Sequence, residues 1–464
     1  MKYLLILLTW AAALTAAAQD NLSQYDQNVP FGFCNRTHRT LTTSMYTYSC
    51  EGGGCSVYPV PETFKGKWTI LKSTGSVMDD AIKTAIGKNA VVIFDGSEGD
   101  FIVSSTISLS NIQQKTLIGI NGARLCTQWH TTDAIRAALD AAGVPTMSTS
   151  GGGGTLSNGQ VVKEQAEYNT RKIILEMTGD NEEKYRYSGI FGFSECRNII
   201  IRNITFVGPG SIDVGGADLV SFNKTKNCWV DHCAFMDGMD GNFDITQQSD
   251  FNTVSWCTFS YTENSYMHQN TNLIGSSDSE SKNYLNTTFA FNWWGTGCKQ
   301  RMPMARVGKI HMLNNYFTST TAGNCINPRK NSEFLIEGNY FAEGVKNYYS
   351  QSSATAVTWA DSNHAVEENS LGDISSFGST VTVPYEYTVA PAANVPEEVG
   401  TYAGPTLDFK DAEPDGIAAN VVRVANSTTY YNMNGQQVEA STRGLILMRQ
   451  QMTGGSFRSA KIIR

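Results

Sequence analysis

Short apolar runs separated by polar turns fill the middle of the chain, and six of them end in a recognisable block. The blocks are Arg202-Asn-Ile-Thr-Phe206, Asp231-His-Cys-Ala-Phe235, Ser255-Trp-Cys-Thr-Phe259, Ala290-Phe-Asn-Trp-Trp294, Leu313-Asn-Asn-Tyr-Phe317 and Glu337-Gly-Asn-Tyr-Phe341. Their final aromatics stand 29, 24, 35, 23 and 24 residues apart, a basic period near 24 with two longer loops. Neither a heptad nor a βαβ rhythm fits this spacing. A unit of short strands and turns this small cannot bury its own apolar face, so the units must stack as coils and pair their strands in parallel. The pattern predicts an all-β chain built as a parallel β-helix. Two places before each final aromatic stand Ile204, Cys233, Cys257, Asn292, Asn315 and Asn339, which stacking turns into one internal column. Asn amides can hydrogen-bond along such a column, and Cys serves as a small buried filler.

Segments 90–94, 101–103 and 116–120 read as earlier strands, with Asp95-Gly96 and Asn121-Gly122 as turn signals. The clearest helix spans 132–142, capped by Thr131 or Thr132 and stopped by Gly143 and Pro145. It opens an insertion of roughly fifty residues whose Ser150-Gly-Gly-Gly-Gly154 run reads as a flexible loop. Pro391, Pro396 and Pro405 mark the exit from the coils. Beyond them, Tyr430-Tyr-Asn-Met-Asn-Gly435 and Gly444-Leu-Ile-Leu-Met448 predict a small C-terminal β module.

The N-terminus sets the expected compartment. Lys2, an apolar run over 3–14 and small residues up to Ala18 have the form of a secretory signal peptide, too short to favour a membrane span. The expected organisation is therefore a signal peptide at 1–18, an N-terminal extension at 19–64, the β-helix at 65–405, a linker at 406–425 and the C-terminal module at 426–464. A formal charge of −8 on 464 residues argues against nucleic acid as partner. Export permits disulfides, but a chain of this length can build its core without them. Of the ten cysteines, Cys34, Cys50 and Cys55 cluster where one bridge is possible, whereas Cys233 and Cys257 read as free thiols. No C-x2-C pair is present, which argues against a zinc site.

Two charged clusters carry candidate chemistry. Asp240 and Asp244 lie in Met236-Asp-Gly-Met-Asp-Gly-Asn-Phe-Asp-Ile245, which has no basic residue, and Asp218 holds the matching place one coil earlier. Hard oxygen ligands without compensating cations suit Ca²⁺. Asp213 is a weaker fourth candidate, and Asp237 reads as a turn residue. The basic run Cys298-Lys-Gln-Arg-Met-Pro-Met-Ala-Arg-Val-Gly-Lys309 concentrates Lys299, Arg301, Arg306 and Lys309 in an acidic chain. Its arginines suit either pairing with the acidic turn or forked recognition of carboxylates. Asp231-His232 has the look of a catalytic dyad, but its place inside a repeat strand reads as structural. Neither a G-x-S-x-G elbow nor an H-E-x-x-H motif occurs.

Four stretches give the chain a resemblance to polysaccharide lyase family 1, the pectate lyases. They are Trp229-Val-Asp-His-Cys233, Asp240-Gly-Asn-Phe-Asp-Ile245, Asn272-Leu-Ile-Gly-Ser-Ser-Asp278 and the segment from Gln300-Arg-Met-Pro-Met-Ala-Arg306 to Asn315-Tyr-Phe317. The likeness spans roughly residues 65 to 405. It implies a right-handed parallel β-helix that cleaves de-esterified homogalacturonan by β-elimination with Ca²⁺ as cofactor. By the same resemblance Asp218, Asp240 and Asp244 hold the calcium, Arg301 is the catalytic base, and Arg306 engages the substrate. The family's acidic residue two places before the first calcium aspartate is here Gly216. Its lysine five places before Gly275 is here Asn270, so Asn270, Lys299 and His268 are the candidates for holding the sugar carboxylate. The C-terminal module resembles the sorting domain of type IX secretion, around Tyr431-Asn-Met-Asn-Gly-Gln436 and Arg443-Gly-Leu-Ile446.

These readings lead to a secreted or cell-surface, monomeric, calcium-dependent pectate lyase acting on polygalacturonate. The alternatives are a pectin lyase on methyl-esterified chains, a galacturonan hydrolase with paired carboxylates, and a glycan-binding β-helix without turnover.

Overall fold

The computed structural model describes residues 68–407 apart from 149, 158, 179–187, 213–215 and 386, together with 32–37, 49–50, 55–56, 425–431, 437–438, 445–452 and 457–463. The expected signal peptide, Asp213 and most of the expected linker lie outside the described residues.

Successive coils pass through three faces, every strand parallel to its neighbours, and wind a right-handed parallel β-helix. Face one carries Ile107–Ser110, Phe191–Ser194, Val220–Asn223, Phe243–Thr246 and Leu273–Ile274. Face two runs from Trp68–Lys72 through Arg197–Arg202, Trp229–Asp231 and Asn252–Ser255 to Thr287–Ala290. Face three stacks Thr205–Val207, Ala234–Met236, Thr258–Ser260, Trp293–Trp294, Tyr316–Phe317 and Tyr340–Phe341. The long strands Met304–Leu313 and Asn327–Glu337 pass from face one to face two without a break and join them into one sheet.

The repeated block is the corner between faces two and three. Asn203, His232, Trp256, Phe291 and Asn314 adopt φ between 48° and 58° there, and Gly338 adopts 65°, so one left-handed residue turns each coil. The next residue enters the internal column. Asn292 N donates to Asn315 Oδ1 at 2.9 Å, Asn315 N to Asn339 Oδ1 at 3.0 Å, and Asn339 N to Asn363 Oδ1 at 3.0 Å. Asn363 therefore extends the ladder one coil past the last block the sequence reveals. The final aromatics stack inside: Phe206, Phe235, Phe259, Trp294, Phe317 and Phe341 follow one another with ring centroids 4.6–5.4 Å apart. Cys233 and Cys257 are buried free thiols, and Cys34 is buried as well.

The insertion contains the helix Asp133–Ala141, with Thr132 Oγ1 accepting from Ile135 N as its cap, and a second helix, Gln165–Thr178. Ile135, Leu139, Val144 and Ile174 pack there on Ile212 and Met239 of the coils. The glycine run departs from expectation. Gly152–Thr155 pairs with Val161–Glu164 as an antiparallel hairpin, because glycines accept a backbone approach in which a Cβ on Gly153 would stand 2.0 Å from Val162 O. The C-terminal strands form an antiparallel sheet in the order 437–438, 425–431, 445–452, 457–463. Among the described residues no helix is long and apolar enough to cross a membrane.

Candidate active site

The outer side of face one collects the charged residues. In Phe243–Thr246, Phe243 and Ile245 point into the core, which turns Asp244 outward by strand alternation. Leu273 N donates to Asp244 Oδ1 at 2.9 Å from the following coil. Asp218 sits just before Val220–Asn223, with Gly241 stacked on it: Leu219 N donates to Gly241 O at 3.1 Å. A Cβ on Gly241 would stand 2.6 Å from Asp218 Oδ1 and 3.1 Å from Asp244 Oδ1. The two carboxylates thus converge on a space that only glycine leaves open. Asp218 Oδ1 is buried without a hydrogen-bond partner. Burial, then the charges of Asp244 and Asp240, push Asp218 well above the usual carboxylate range against the pull of Arg301. Burial likewise raises Asp244 to about 7, opposed first by Arg301.

Asp240, whose charge acts on both Asp218 and Asp244, has a partner of its own. His268 Nε2 stands 2.8 Å from Asp240 Oδ1 and 2.9 Å from Asn270 Nδ2. Tyr261 Oη donates to Asn270 O, and Asn270 is bridged in parallel to Gln300 on the next coil. Among the described residues no three His, Cys, Asp or Glu side chains converge as a ready metal-ligand set. What fits a cation is narrower: an orphaned buried oxygen on Asp218, a second carboxylate beside it, and a glycine that keeps the space clear.

Two arginines of the basic run act on the same carboxylates. Arg301 has φ 62°, and its carbonyl accepts from Asn272 N at 2.7 Å, which fixes its backbone one coil beyond Asn272. Its charge acts on both Asp218 and Asp244, and that of Arg306 on Asp244. Arg306 Nη1 donates to Gly275 O at 2.8 Å, while its Nε lies 3.2 Å from Asp278 Oδ1. Burial and the neighbouring Arg301 charge lower the pKa of Arg306. Lys299 N donates to Gln269 O at 3.0 Å, and partial burial lowers the pKa of its ammonium.

A model of the family described as pectate lyase matches residues 131–406, more than half of the chain. The chain belongs to the pectate lyase family. It is 32% identical over 231 residues to pectate lyase A of Aspergillus niger, which is 46% of this chain and 64% of that protein. Pectate lyase A of Emericella nidulans matches to the same extent. The chain thus spans just under two thirds of the curated relatives it matches. Among solved structures it is similar to the cedar pollen allergen jun a 1, at 17% identity over 73% of this chain and 89% of that one, with a TM-score of 0.47. A pectate lyase from Bacillus sp. N165 in complex with trigalacturonate matches at 17% identity over 81% of this chain and 98% of its own, with a TM-score of 0.44.

In this pectate lyase family member Asp231-His232 lies away from the trough. Arg202 Nη2 pairs with Asp231 Oδ2 at 2.7 Å, His232 Nδ1 meets the same oxygen at 2.6 Å, and Ser255 Oγ donates to Asp231 Oδ1 at 2.6 Å, all fully buried. Asp237 is occupied by Thr262 and Ser265. The sequence alone assigns no role to Gly241, Asp278 or Lys330. Gly241 is one glycine among 42, and Asp278 acquires meaning only when folding sets it beside Arg306.

Proposed function

We propose that the protein is a secreted, calcium-dependent pectate lyase that cleaves de-esterified homogalacturonan by β-elimination and leaves 4,5-unsaturated galacturonides. The observation that carries this reading is the convergence of the Asp218 and Asp244 carboxylates, one of them with an unpartnered buried oxygen, within the influence of Arg301 and Arg306. Asp218, Asp240 and Asp244 would hold the calcium ion. When bound, the ion supplies Lewis-acid neutralisation of the uronate carboxylate beside the reacting carbon.

The chain's own residues account for the rest. The C5 proton is acidified by the adjacent carboxylate, and Arg301 is the base that removes it. The C5–H electron pair becomes the C4–C5 double bond, the C4–O4 bond breaks, and the departing oxygen takes a proton from solvent. Arg306 offers its guanidinium to the carboxylate as negative charge builds there. Lys299, Asn270 and His268 would offer further contacts for sugar carboxylate and hydroxyl groups. The apolar N-terminal run supports export, and the C-terminal antiparallel module is proposed as the part read by secretion machinery of the type IX kind.

The test is the ultraviolet absorbance of the unsaturated product on polygalacturonate, with and without chelator. Calcium-dependent growth of the signal that disappears in Arg301→Ala, by at least about a hundredfold, supports the assignment. Reducing ends without absorbance would make the protein a hydrolase, and binding without either signal a glycan-binding solenoid.

A further inference from the structure

Asp278 ties together two cations from successive coils. Its Oδ1 lies 3.2 Å from Arg306 Nε and its Oδ2 3.3 Å from Lys330 Nζ. Arg306 has a separate anchor, because its Nη1 also donates to Gly275 O at 2.8 Å. The loop bearing Asp278 is braced elsewhere, through Glu280. That carboxylate accepts from Ser276 N at 2.6 Å, Ser276 Oγ at 2.7 Å and Gln247 N at 2.9 Å. Asp278 itself is 53% exposed and can swing out without disturbing either anchor.

We propose that Asp278 is a specificity-determining residue: an internal carboxylate that occupies Arg306 and Lys330 until a uronate carboxylate displaces it, and so rejects methyl-esterified sugar units there. This rests on the polyuronate reading above. Exchanging one carboxylate for another conserves the ion pairs to both cations. An ester carbonyl is a neutral acceptor and cannot replace them, so Asp278 acts against the wrong substrate more than for the right one. Because the pair is half exposed, it penalises the correct substrate only modestly.

Full-length wild type, Asp278→Asn and Asp278→Glu are compared on polygalacturonate and on highly methylated pectin, with binding of trigalacturonate and its methyl ester measured in parallel. Asp278→Asn should lower KM for polygalacturonate roughly two- to fivefold and reduce the preference for unmethylated chains by about tenfold. Asp278→Glu should restore the preference. An unchanged KM and preference overturns the proposal, as does a fall in kcat with preference intact, which would make Asp278 a brace for Arg306. If wild type cleaves polygalacturonate while Asp278→Asn matches it, only this proposal falls. If wild type neither binds trigalacturonate nor cleaves the polymer, the function proposed above falls and takes this one with it.

Discussion

Gly241 faces Asp218 so closely that a Cβ on the glycine would stand 2.6 Å from Asp218 Oδ1. The same Cβ would lie 3.1 Å from Asp244 Oδ1, between the two carboxylates proposed to hold calcium. Gly241→Ala should therefore leave the coils intact by circular dichroism yet raise the calcium concentration for half-maximal activity by about 10- to 100-fold, the range typical when the surroundings of a metal site are disturbed. An unchanged calcium dependence would show that no ion enters that space.

The buried, unpartnered Asp218 Oδ1 makes a second prediction about the metal-free protein. Its charge is opposed by burial and by Asp244 and Asp240, so removing it should relieve a cost of about 1–3 kcal/mol. Asp218→Asn should melt at a higher temperature than wild type in chelator, and should lose the extra stabilisation that calcium gives wild type. A variant less stable than wild type in chelator would mean that the carboxylate is satisfied in a way the trough does not reveal.

The coils were legible because their corners repeat a chemical requirement. A left-handed residue, an inward column residue (Ile, Cys or Asn) and an inward aromatic recur at the six corners where face two turns into face three, so Asn315 and Phe317 announce their positions from sequence alone. Asn363 escaped because its coil ends in His364-Ala365, which lacks the closing aromatic. The hairpin of Gly152–Thr155 escaped for a different reason. Glycine signals freedom in isolation, and only the partner strand Val161–Glu164 converts that freedom into pairing. In the trough, charge clustering drew attention to the aspartates and arginines, whereas Asp240 turning to His268 is a side-chain choice that no spacing encodes.

The asparagine ladder gives a stability prediction. Asn315 Oδ1 accepts from Asn292 N at 2.9 Å and Asn292 Nδ2 at 3.1 Å, while its Nδ2 donates to Phe289 O and Asn339 Oδ1, each at 2.9 Å. Asn315→Ala strands several of these groups in the core and should cost about 2–5 kcal/mol, read as a lower urea midpoint. Asn283→Ala on an exposed loop should change it by less than about 0.5 kcal/mol. Equal effects at the two sites would remove the ladder as a source of stability.

Acid should weaken the fold through its buried histidines before its carboxylates. Burial lowers the pKa of His311, against the pull of Glu337, below the ordinary 6.5, so the unfolded chain takes up that proton first. Stability from this group is whole above 6.5 and declines as pH falls below it. His232 behaves alike, lowered by burial against Asp231. Burial alone would raise Asp231, but contact with His232 and the charge of Arg202 bring it below 3.8. Its contribution is therefore present above that value and lost only as pH falls through the lower folded one. Asp218 and Asp244 are raised and titrate in the opposite sense, so a raw pH profile mixes the two signs. Subtracting the profile of His311→Gln, which keeps a neutral donor toward Glu337, cancels them. The wild-type advantage should then shrink between pH 7 and 5 by at most about 1.4 kcal/mol per pH unit. A difference that stays flat across that window would mean His311 takes up its proton equally in the folded and unfolded chain.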